Sequence, residues 1–522
     1  MIKDTGSSTE AEIRIIARGA GIIFLGTIAG VALKYVFELI LARSLGPDLF
    51  GIFFLGFSIF KIMERISVFG LHNGVLRYVS VHHGTGDNKR LKGVILLGIL
   101  AVIIISAVIL AAVLPLSGII SARLFKEPGL TGVLIIFSII LIFNAVTEIV
   151  VSSIQGIKIM KYKVFVRMLA EPGLRIFLAA LFIWAGFGLM GAAAAYALSL
   201  LAGMFLSFYY LKKVFPYFFS SRGPYRFESG SLFGFSWPLA FVGFFNIIIL
   251  QINAVMLGYY GSSGDVGVFG AVQRTALVIQ VVLTSFNAVF APVIADLYNK
   301  KRSERLEKLY KIVTNWIFII SFPIFLLMVL YPEELLGIWG PGYRSGWISL
   351  VIISASMMIN CAVGSVKNMI MMSGRSRLNL ANEGIAFFIT IILNILLIPE
   401  YGVMGAAISF AAAVVISNAA GLLEVYFLLG IHPYKISFLK PFAAGIISAA
   451  VFFLLKKYVM ADSMDTVWLI IMAPLFLLMY TGLLFVFKFS REDLMVLDMI
   501  RQKLFKKNNR DRKNDHGHSR KN

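Results

Sequence analysis

Long apolar segments alternate with short polar connections along the chain, and this pattern predicts helices that cross a membrane. A helix needs roughly 20 predominantly apolar residues to span the hydrocarbon core of a bilayer. Fourteen segments reach that length: residues 19–42, 49–72, 93–115, 130–152, 164–184, 187–210, 232–257, 266–291, 312–331, 346–370, 378–398, 402–427, 437–455 and 466–488. We therefore predict an all-α polytopic membrane protein with 14 transmembrane helices.

The placement of Lys and Arg predicts the orientation of this bundle. If both termini are cytoplasmic, the termini and cytoplasmic connections, together with Arg167, Lys440 and Lys488 at the adjoining span ends, carry 36 basic residues, and the opposite side carries six. Such an excess of Lys and Arg marks the cytoplasmic side of membrane proteins. We expect a multi-pass protein of the cell membrane with both termini in the cytoplasm. The polar and acidic residues before the first span are unlike a cleaved signal peptide.

Composition narrows the function classes. Hydrophobic types make up 59% of the 522 residues and charged types only 14%, which excludes an ordinary soluble enzyme. The net charge of +21 is explained by topology and by attraction to anionic lipids, so we expect no nucleic-acid partner. The single cysteine, Cys361, excludes a disulfide framework, and the six histidines form no metal-binding motif. We expect neither a metal nor a cofactor.

Three pairs of matching segments indicate an internal repeat. The run at residues 188–193 (GLMGAA) returns at residues 402–407 (GVMGAA), an offset of 214. Residues 48–51 (DLFG) match residues 265–267 (DVG) at an offset of 217, and residues 155–156 match residues 373–374 at 218. Because each half holds six spans, both halves enter the membrane in the same direction. Parallel repeats of this kind occur in transporters whose halves rock about a central cavity.

The repeat divides the chain into segments. We predict a cytoplasmic N-terminal segment (1–18), an N-lobe of spans one to six (19–213) and a cytoplasmic inter-lobe linker (214–231). These are followed by a C-lobe of spans seven to twelve (232–430), two extra helices (431–490) and a basic cytoplasmic tail (491–522).

Charged residues inside the spans are the candidate functional residues, because a Lys or Arg at mid-membrane costs roughly 2.5–3.5 kcal/mol on insertion scales. We predict that the deepest basic residues and one amide line a cationic cavity between the lobes: Lys34, Arg65, Arg175, Arg274 and Gln251, which is the repeat mate of Lys34. A surplus of positive charge suits a substrate that bears phosphate.

Acidic residues on the same helices are candidates for ion coupling or for charge pairing: Glu38, Glu64 and Glu171. Lys34 and Glu38 are four residues apart and are expected to pair on one helix face. For Lys61, Glu64, Glu148, Arg167 and Lys367, we favour interhelical ion pairs near the inner headgroups.

Two motifs carry a resemblance to a known family. The first motif is the run LARSLGP at residues 41–47, followed by Phe50-Gly51. The second is the run NILLIPEYG at residues 394–402, followed by Gly405-Ala406-Ala407. With these motifs the chain resembles the polysaccharide-transporter branch of the multidrug/oligosaccharidyl-lipid/polysaccharide flippase superfamily. The resemblance implies twelve core spans in two lobes, often with two extra. It also implies inward-open and outward-open states, with proton or sodium coupling in several branches.

The resemblance further implies movement of polyprenyl-diphosphate-linked oligosaccharides from the cytoplasmic to the outer leaflet, for surface polysaccharide or glycoprotein biosynthesis. We expect such a flippase, functional as a monomer, with membrane lipids and the glycolipid as partners. A lipid II flippase and a cation-coupled multidrug exporter of the same superfamily stay open as alternatives, although a cationic cavity speaks against the exporter. A membrane glycosyltransferase would need acidic metal-binding motifs in a large external loop, which the sequence lacks.

Overall fold

The computed structural model describes residues 5–220, 225–459 and 467–487, and within these ranges short turns connect helices. The predicted basic tail (491–522) lies outside the described residues, as do the first four residues and part of the linker. The N-lobe and the start of the linker contain α1 (Thr5–Val68), α2 (Leu71–Thr85), α3 (Asn88–Ile119), α4 (Leu130–Gly156), α5 (Lys161–Val164), α6 (Glu171–Trp184), α7 (Gly188–Val214) and α8 (Pro216–Ser220).

The C-lobe again consists of six spans, and two further helices follow it. It contains α9 (Ser229–Tyr260), α10 (Ser263–Ala276), α11 (Val278–Asn299), α12 (Ser303–Leu330), α13 (Pro332–Gly337), α14 (Trp347–Val363), α15 (Val366–Met372) and α16 (Ser376–Leu429), then α17 (Leu439–Val459) and α18 (Val467–Val486). Short non-α turns lie at Ile120–Leu124, Phe165–Ala170, Pro341–Gly346 and Ile436–Phe438.

The predicted spans map onto these helices, and several are interrupted. The two longest helices each hold two spans, because α1 bends at Gly46 (φ 73°) and α16 bends at Gly402 (φ 50°). In span five, the π-helical turn Phe165–Ala170 connects α5 to α6. In span eight, the helix is interrupted between α10 and α11. Gly188, the repeat mate of Gly402, also has a positive φ of 48°. The all-α fold with two parallel six-span halves and two extra helices is therefore confirmed.

The lobes touch closely at the end of the bundle that carries the α1 bend, which we call the Gly46 end. A Cβ atom on Gly51 would overlap the carbonyl oxygen of Ser263, and one on Gly267 would overlap that of Pro47. Gly267 and Ser263 stand 216 positions after Gly51 and Pro47, so the two contacts are related by the repeat. Only glycine permits this backbone approach. We call this paired contact the glycine seal.

A second contact joins the lobes at the opposite end, which we call the Gly86 end. There Arg90 lies 3.3 Å from carboxylate oxygens of both Asp87 and Glu228, and His82 Nε2 lies 3.2 Å from Glu228. Asp87 also caps α3, since its side chain accepts a hydrogen bond from the Arg90 backbone N–H, and this bond lowers the pKa of Asp87. Because Glu228 precedes α9, these contacts fasten the start of the C-lobe to the α2–α3 turn.

The extra helices α17 and α18 pack against the C-lobe through α12. Tyr480 donates a hydrogen bond to the carbonyl oxygen of Ile319 (3.0 Å), and Gly445 lies directly against the ring of Phe322. At the Gly46 end, Lys456 Nζ lies 3.0 Å from the carboxylate of Glu334 and donates to the carbonyl oxygen of Leu330. These helices therefore sit outside the two-lobe core and leave the space between the lobes free.

Candidate functional site

A cavity of about 1160 Å³ lies between the lobes. Its walls come from both halves of α1, from α4, from spans five and six, and from α10, α11 and α12. In the second half of α1, the lining positions Phe53, Phe57, Lys61 and Glu64 recur at the spacing of one helix face. The glycine seal separates this cavity from the Gly46 end.

Charge is concentrated on one wall of the cavity. Ten charged side chains line it, six basic and four acidic: Lys34, Lys61, Lys163, Arg167, Arg175 and Arg274, with Glu38, Glu64, Glu148 and Glu171. All but Arg274 belong to the N-lobe. The C-lobe wall instead presents hydroxyl, amide and apolar side chains, including Thr275, Gln280 and Thr284.

Arg167 is the centre of an ion-pair network at the Gly86 side of the cavity. Its guanidinium lies 3.1 Å from Glu148 and 3.2 Å from Glu171, and it donates to the side chain of Asn144 at 2.8 Å. Lys163 Nζ adds a longer contact of 3.9 Å to Glu148. The side chain of Glu171 is only 5% exposed, so Arg167 compensates a buried carboxylate. The charged side chains of this wall are therefore paired with one another.

The other two carboxylates also have basic partners. Glu64 pairs with Lys61 on the same helix at 2.6 Å. Glu38 pairs with Arg274 at 2.8 Å, and this ion pair joins the two lobes across the cavity. The expected pairing of Lys34 with Glu38 is therefore wrong, because Arg274 reaches Glu38 from the facing helix α10.

Two of the six basic residues in the lining stand without a carboxylate partner among the described residues. Lys34 is exposed to the cavity and makes no hydrogen bond or ion pair there. Arg175 is 6% exposed; its Nε donates to Ser199 at 3.1 Å, and its guanidinium lies 3.8 Å from the ring centre of Tyr196. These contacts orient Arg175 without neutralising it. The positive surplus of the cavity therefore resides at Lys34 and Arg175.

We infer that the cavity opens sideways between α1 and α11. Both helices line it, yet α1 packs closely on α10 and scarcely touches α11. Aliphatic side chains on the two edges are exposed, namely Ile28, Val31 and Val278. Exposed aliphatic side chains at membrane depth are suited to contact with lipid. A polar headgroup could therefore enter the cavity while its lipid tail stays in the bilayer.

The structure brings six of the eight candidate residues from the sequence into this lining: Lys34, Arg175, Arg274, Glu38, Glu64 and Glu171. Arg65 and Gln251 lie outside it. Arg65 stands one residue past Glu64, off the lining face, and its side chain lies against Gly243 of α9. Gln251 is 5% exposed and buried within the C-lobe, because an equivalent position in a repeat does not fix the direction in which a side chain points.

Several lining residues are not among the sequence-based candidates for substrate binding. Glu148 and Arg167 were expected to form structural ion pairs, and they do so while also lining the cavity. Asn144, Lys163 and Tyr196 carried no signal that singled them out. In the described part of the chain, no group of three or more His, Cys, Asp or Glu residues is placed to hold a metal ion.

Comparisons with known proteins agree with this geometry. A family model described as polysaccharide biosynthesis protein matches residues 16–298, and a model described as MatE matches residues 238–399. The probable low-salt glycan biosynthesis flippase Agl15 of Haloferax volcanii is 21% identical over 413 residues, which cover 77% of this chain and 82% of that protein.

Two solved structures show the fold. The lipid II flippase MurJ in an inward closed conformation superposes with a TM-score of 0.67 at 16% identity, covering 91% of this chain and 99% of that one. An inward-facing multidrug resistance MATE transporter superposes with a TM-score of 0.64 at 18% identity, covering 77% and 94%. The described helices therefore have the architecture of this transporter superfamily.

Proposed function

Since the chain belongs to the polysaccharide biosynthesis protein family, we propose that it is a flippase that moves a lipid-linked oligosaccharide across the membrane by alternating access. The chain is a transporter and not an enzyme, in keeping with its fold. The substrate that we propose is a polyprenyl-diphosphate-linked glycan, which travels from the cytoplasmic to the outer leaflet. The related glycan flippase Agl15 supports this substrate class.

The observation that carries the proposal is the uncompensated charge at Lys34 and Arg175. Each phosphate of a diphosphate linkage carries a negative charge at neutral pH, and the cavity offers two basic groups that no carboxylate neutralises. Arg presents a planar fork of donors to phosphate oxygens, and Lys presents a compact charge. The two groups come from α1 and α6, and both line the same cavity. They form a suitable clamp for a diphosphate.

The lateral opening between α1 and α11 accounts for the lipid part of the substrate. A polyprenyl tail would be costly to enclose in a cavity lined by ten charged side chains. With the tail in the bilayer, only the diphosphate and glycan need to enter. The hydroxyl and amide groups of Thr275, Gln280 and Thr284 on the C-lobe wall would then face the sugar.

Alternating access requires the glycine seal to open while the Gly86 end closes around the cavity. The ion pair between Glu38 and Arg274 joins the two lobes near that seal, so lobe rocking would strain or break it. We propose Glu38 as the first candidate for coupling to a proton or sodium ion, with Glu64 and Glu171 as further candidates. When this carboxylate loses its Arg partner, its affinity for a cation rises, because the cation then neutralises the negative charge.

The orientation that we propose places the Gly86 end and both termini in the cytoplasm of a cell-membrane protein, working as a monomer. In that orientation the glycine seal lies toward the outside, and the Gly86 end faces the cytoplasm. The basic residues at the Gly86 end, such as Lys212, Lys213, Lys300 and Arg302, then lie at the cytoplasmic surface.

A flipping assay in liposomes tests the proposal. A fluorescent undecaprenyl-diphosphate oligosaccharide is placed in both leaflets, and its exposure to an external reductant or lectin is followed over time. Wild type should accelerate exchange, whereas the Lys34→Gln and Arg175→Gln variants should lose most of the activity. Lys367→Gln is the matched control, because Lys367 is also a basic residue within a span but does not line the cavity.

The alternatives give different results in the same liposomes. Transport of cationic dyes without glycolipid exchange would replace the proposal with a multidrug exporter. Exchange of lipid II in preference to other diphosphate-linked glycans would replace it with a lipid II flippase. Wild-type exchange by both cavity variants would contradict the proposed diphosphate clamp.

A further inference from the structure

A second, shallower cavity lies at the Gly86 end, where α11 turns into α12, and measures about 390 Å³. We call it the α11–α12 pocket. Its floor is apolar and its rim is charged: the floor consists of Pro292, Val293, Leu297 and Leu309, and the rim of Asp296, Lys300, Arg302 and Arg305. It is separate from the cavity between the lobes and shares no lining residue with it.

The rim keeps a positive surplus. Asp296 is already occupied, because it pairs with Lys300 at 2.8 Å. Arg302 and Arg305 are exposed, and neither has an ion-pair partner among the described residues. Two guanidinium groups therefore face the same small space, each free to donate hydrogen bonds to an anion in a bidentate manner.

The position of the pocket along α11 matches the boundary between hydrocarbon and headgroups. Helix α11 is itself an apolar span of 22 residues that ends at Asn299. The rim residues Lys300, Arg302 and Arg305 follow this end, whereas Asp296 and most of the apolar floor belong to the last turns of the span. A ligand in the pocket would therefore place an anionic group among the arginines and apolar chains against Val293 and Leu297.

We propose that the α11–α12 pocket binds the phosphodiester headgroup of an anionic glycerophospholipid, such as phosphatidylglycerol. Basic pockets between helices at a membrane surface bind anionic headgroups, and each Lys or Arg near the surface strengthens the attraction about fivefold, equivalent to ~1 kcal/mol. Two exposed arginines give modest affinity, which suits a lipid that is abundant in the leaflet. A scarce lipid-linked glycan would need a deeper and more enclosed site.

The bound lipid would contact a helix of the large cavity, because α11 belongs to both cavities. Thr284 lines the large cavity, and Pro292 lies eight residues further along the same helix, which corresponds to about 12 Å. A headgroup held at the end of α11 therefore anchors, at the membrane surface, a helix that also lines the large cavity.

Native mass spectrometry of the full-length protein released from nanodiscs tests the proposal. The nanodiscs contain phosphatidylglycerol and phosphatidylcholine, and the measurement is the preference for retained phosphatidylglycerol. Wild type should show that preference, and Arg302→Gln/Arg305→Gln should reduce it about 25-fold, the product of two fivefold contributions. The matched control is Lys212→Gln/Lys213→Gln, which removes equal charge from exposed positions at the end of α7 and should retain the preference.

Two results would overturn the proposal. One is that the double arginine variant retains phosphatidylglycerol as well as wild type does. The other is that the Lys212/Lys213 control loses the preference equally, which would show a general attraction between basic residues and anionic lipid instead of a specific site. A further arm adds undecaprenyl diphosphate at equal mole fraction, and another adds inorganic phosphate. Neither should displace phosphatidylglycerol, and displacement by either would show that a different phosphate source occupies the pocket. Because the readout is lipid retention, its outcome is independent of any flipping activity.

Discussion

The two lobes share a fold but treat the cavity between them differently. The N-lobe contributes nine of the ten charged side chains in the lining, and the C-lobe contributes only Arg274. The C-lobe has charges of its own, but they are used elsewhere: Lys367 pairs with Glu383 at 2.5 Å inside the lobe. Gene duplication thus explains the shared helices, whereas the binding chemistry is a property of one copy.

One pair of positions shows how the copies diverged. In the N-lobe, Glu148 of span four pairs with Arg167 of span five; in the C-lobe, Lys367 of span ten pairs with Glu383 of span eleven. Lys367 stands 219 positions after Glu148, and Glu383 stands 216 after Arg167. The pair is kept with its charges exchanged. An ion pair at this helix contact therefore has a packing role that tolerates either polarity.

The unpaired cations behave differently, because they have no counterpart in the C-lobe. Gln251 stands at the repeat mate of Lys34, and Ile391 stands 216 positions after Arg175. A paired charge can be explained by its role in packing. An unpaired cation that faces a membrane cavity cannot, because placing it there costs free energy that no ion pair compensates. The difference between the lobes therefore supports the proposed role of Lys34 and Arg175 in binding the substrate.

The largest expected effect concerns the network around Arg167. We expect Arg167→Met to lower the free energy of unfolding by about 3 kcal/mol, because it leaves the buried carboxylate of Glu171 uncompensated. The equivalent change in the C-lobe, Lys367→Met, should cost less, about 1–2 kcal/mol: Glu383 is only 9% exposed, but the Lys367 side chain is 46% exposed and Glu383 keeps a hydrogen bond from Ser417. Thermal unfolding in detergent, calibrated by denaturant titration, measures both. Equal losses would contradict the contrast between the lobes.

Loss of the unpaired lysine should affect transport and not stability. Lys34→Gln should slow glycolipid exchange about tenfold to hundredfold, the range expected for one lost hydrogen bond to a charged group (about 1.5–3 kcal/mol). The thermal unfolding midpoint should stay unchanged because Lys34 has no partner in the structure. Lys34→Arg should preserve most activity.

The C-lobe should not be able to replace this lysine. In the Lys34→Gln/Gln251→Lys double variant the new lysine occupies a position that is 5% exposed and outside the lining. We therefore expect exchange to stay as slow as in Lys34→Gln. Recovery of activity would show that Gln251 reaches the cavity during the transport cycle.

The glycine seal is the place where the lobes should behave alike. Gly51→Ala and Gly267→Ala each add a methyl group against a backbone carbonyl, at a cost of about 1–3 kcal/mol to the sealed state. Spin labels on cysteines at Ser44 and Ser345, both exposed at the Gly46 end, would report the opening by electron–electron distances. The native Cys361 is buried and should stay unlabelled.

Because the two glycine contacts are related by the repeat, both substitutions should populate the longer distance to a similar extent. A matched control is Gly118→Ala, since a Cβ there meets no neighbouring atom. A shift by one glycine variant alone would show that the seal is not symmetric. A shift by the control would trace the change to the glycine substitution itself.

The smallest expected effect concerns the ion pair that joins the lobes. Glu38→Gln and Arg274→Gln should each change stability by about 1 kcal/mol, because the side chains are 14% and 21% exposed and border the cavity. A double-mutant cycle on thermal stability should yield a coupling of at least about 0.5 kcal/mol. Additive effects would indicate that the pair does not join the lobes in solution.

Most of the fold could be predicted from the sequence. The lengths of the apolar segments and the repeat predicted fourteen spans in two parallel halves, because a bilayer admits few alternatives to helices of fixed length. Local interruptions were not predictable. The π-helical turn Phe165–Ala170 and the break between α10 and α11 have no distinct apolar pattern, since they depend on how neighbouring helices pack.

For the site, the sequence determined which residues are too costly to face lipid, and the free energy of burying a charge makes that inference independent of the fold. It therefore identified Lys34, Arg175, Arg274 and Glu38 as groups that need protein or water around them. Only the tertiary structure decided their partners. Arg274 is 236 residues from Glu38 in sequence yet lies 2.8 Å away, and a helix rotates by about 100° per residue, so Arg65 and Gln251 turn away from the cavity. The direction of a side chain and its long-range neighbour are set by packing between the lobes, which no local pattern encodes.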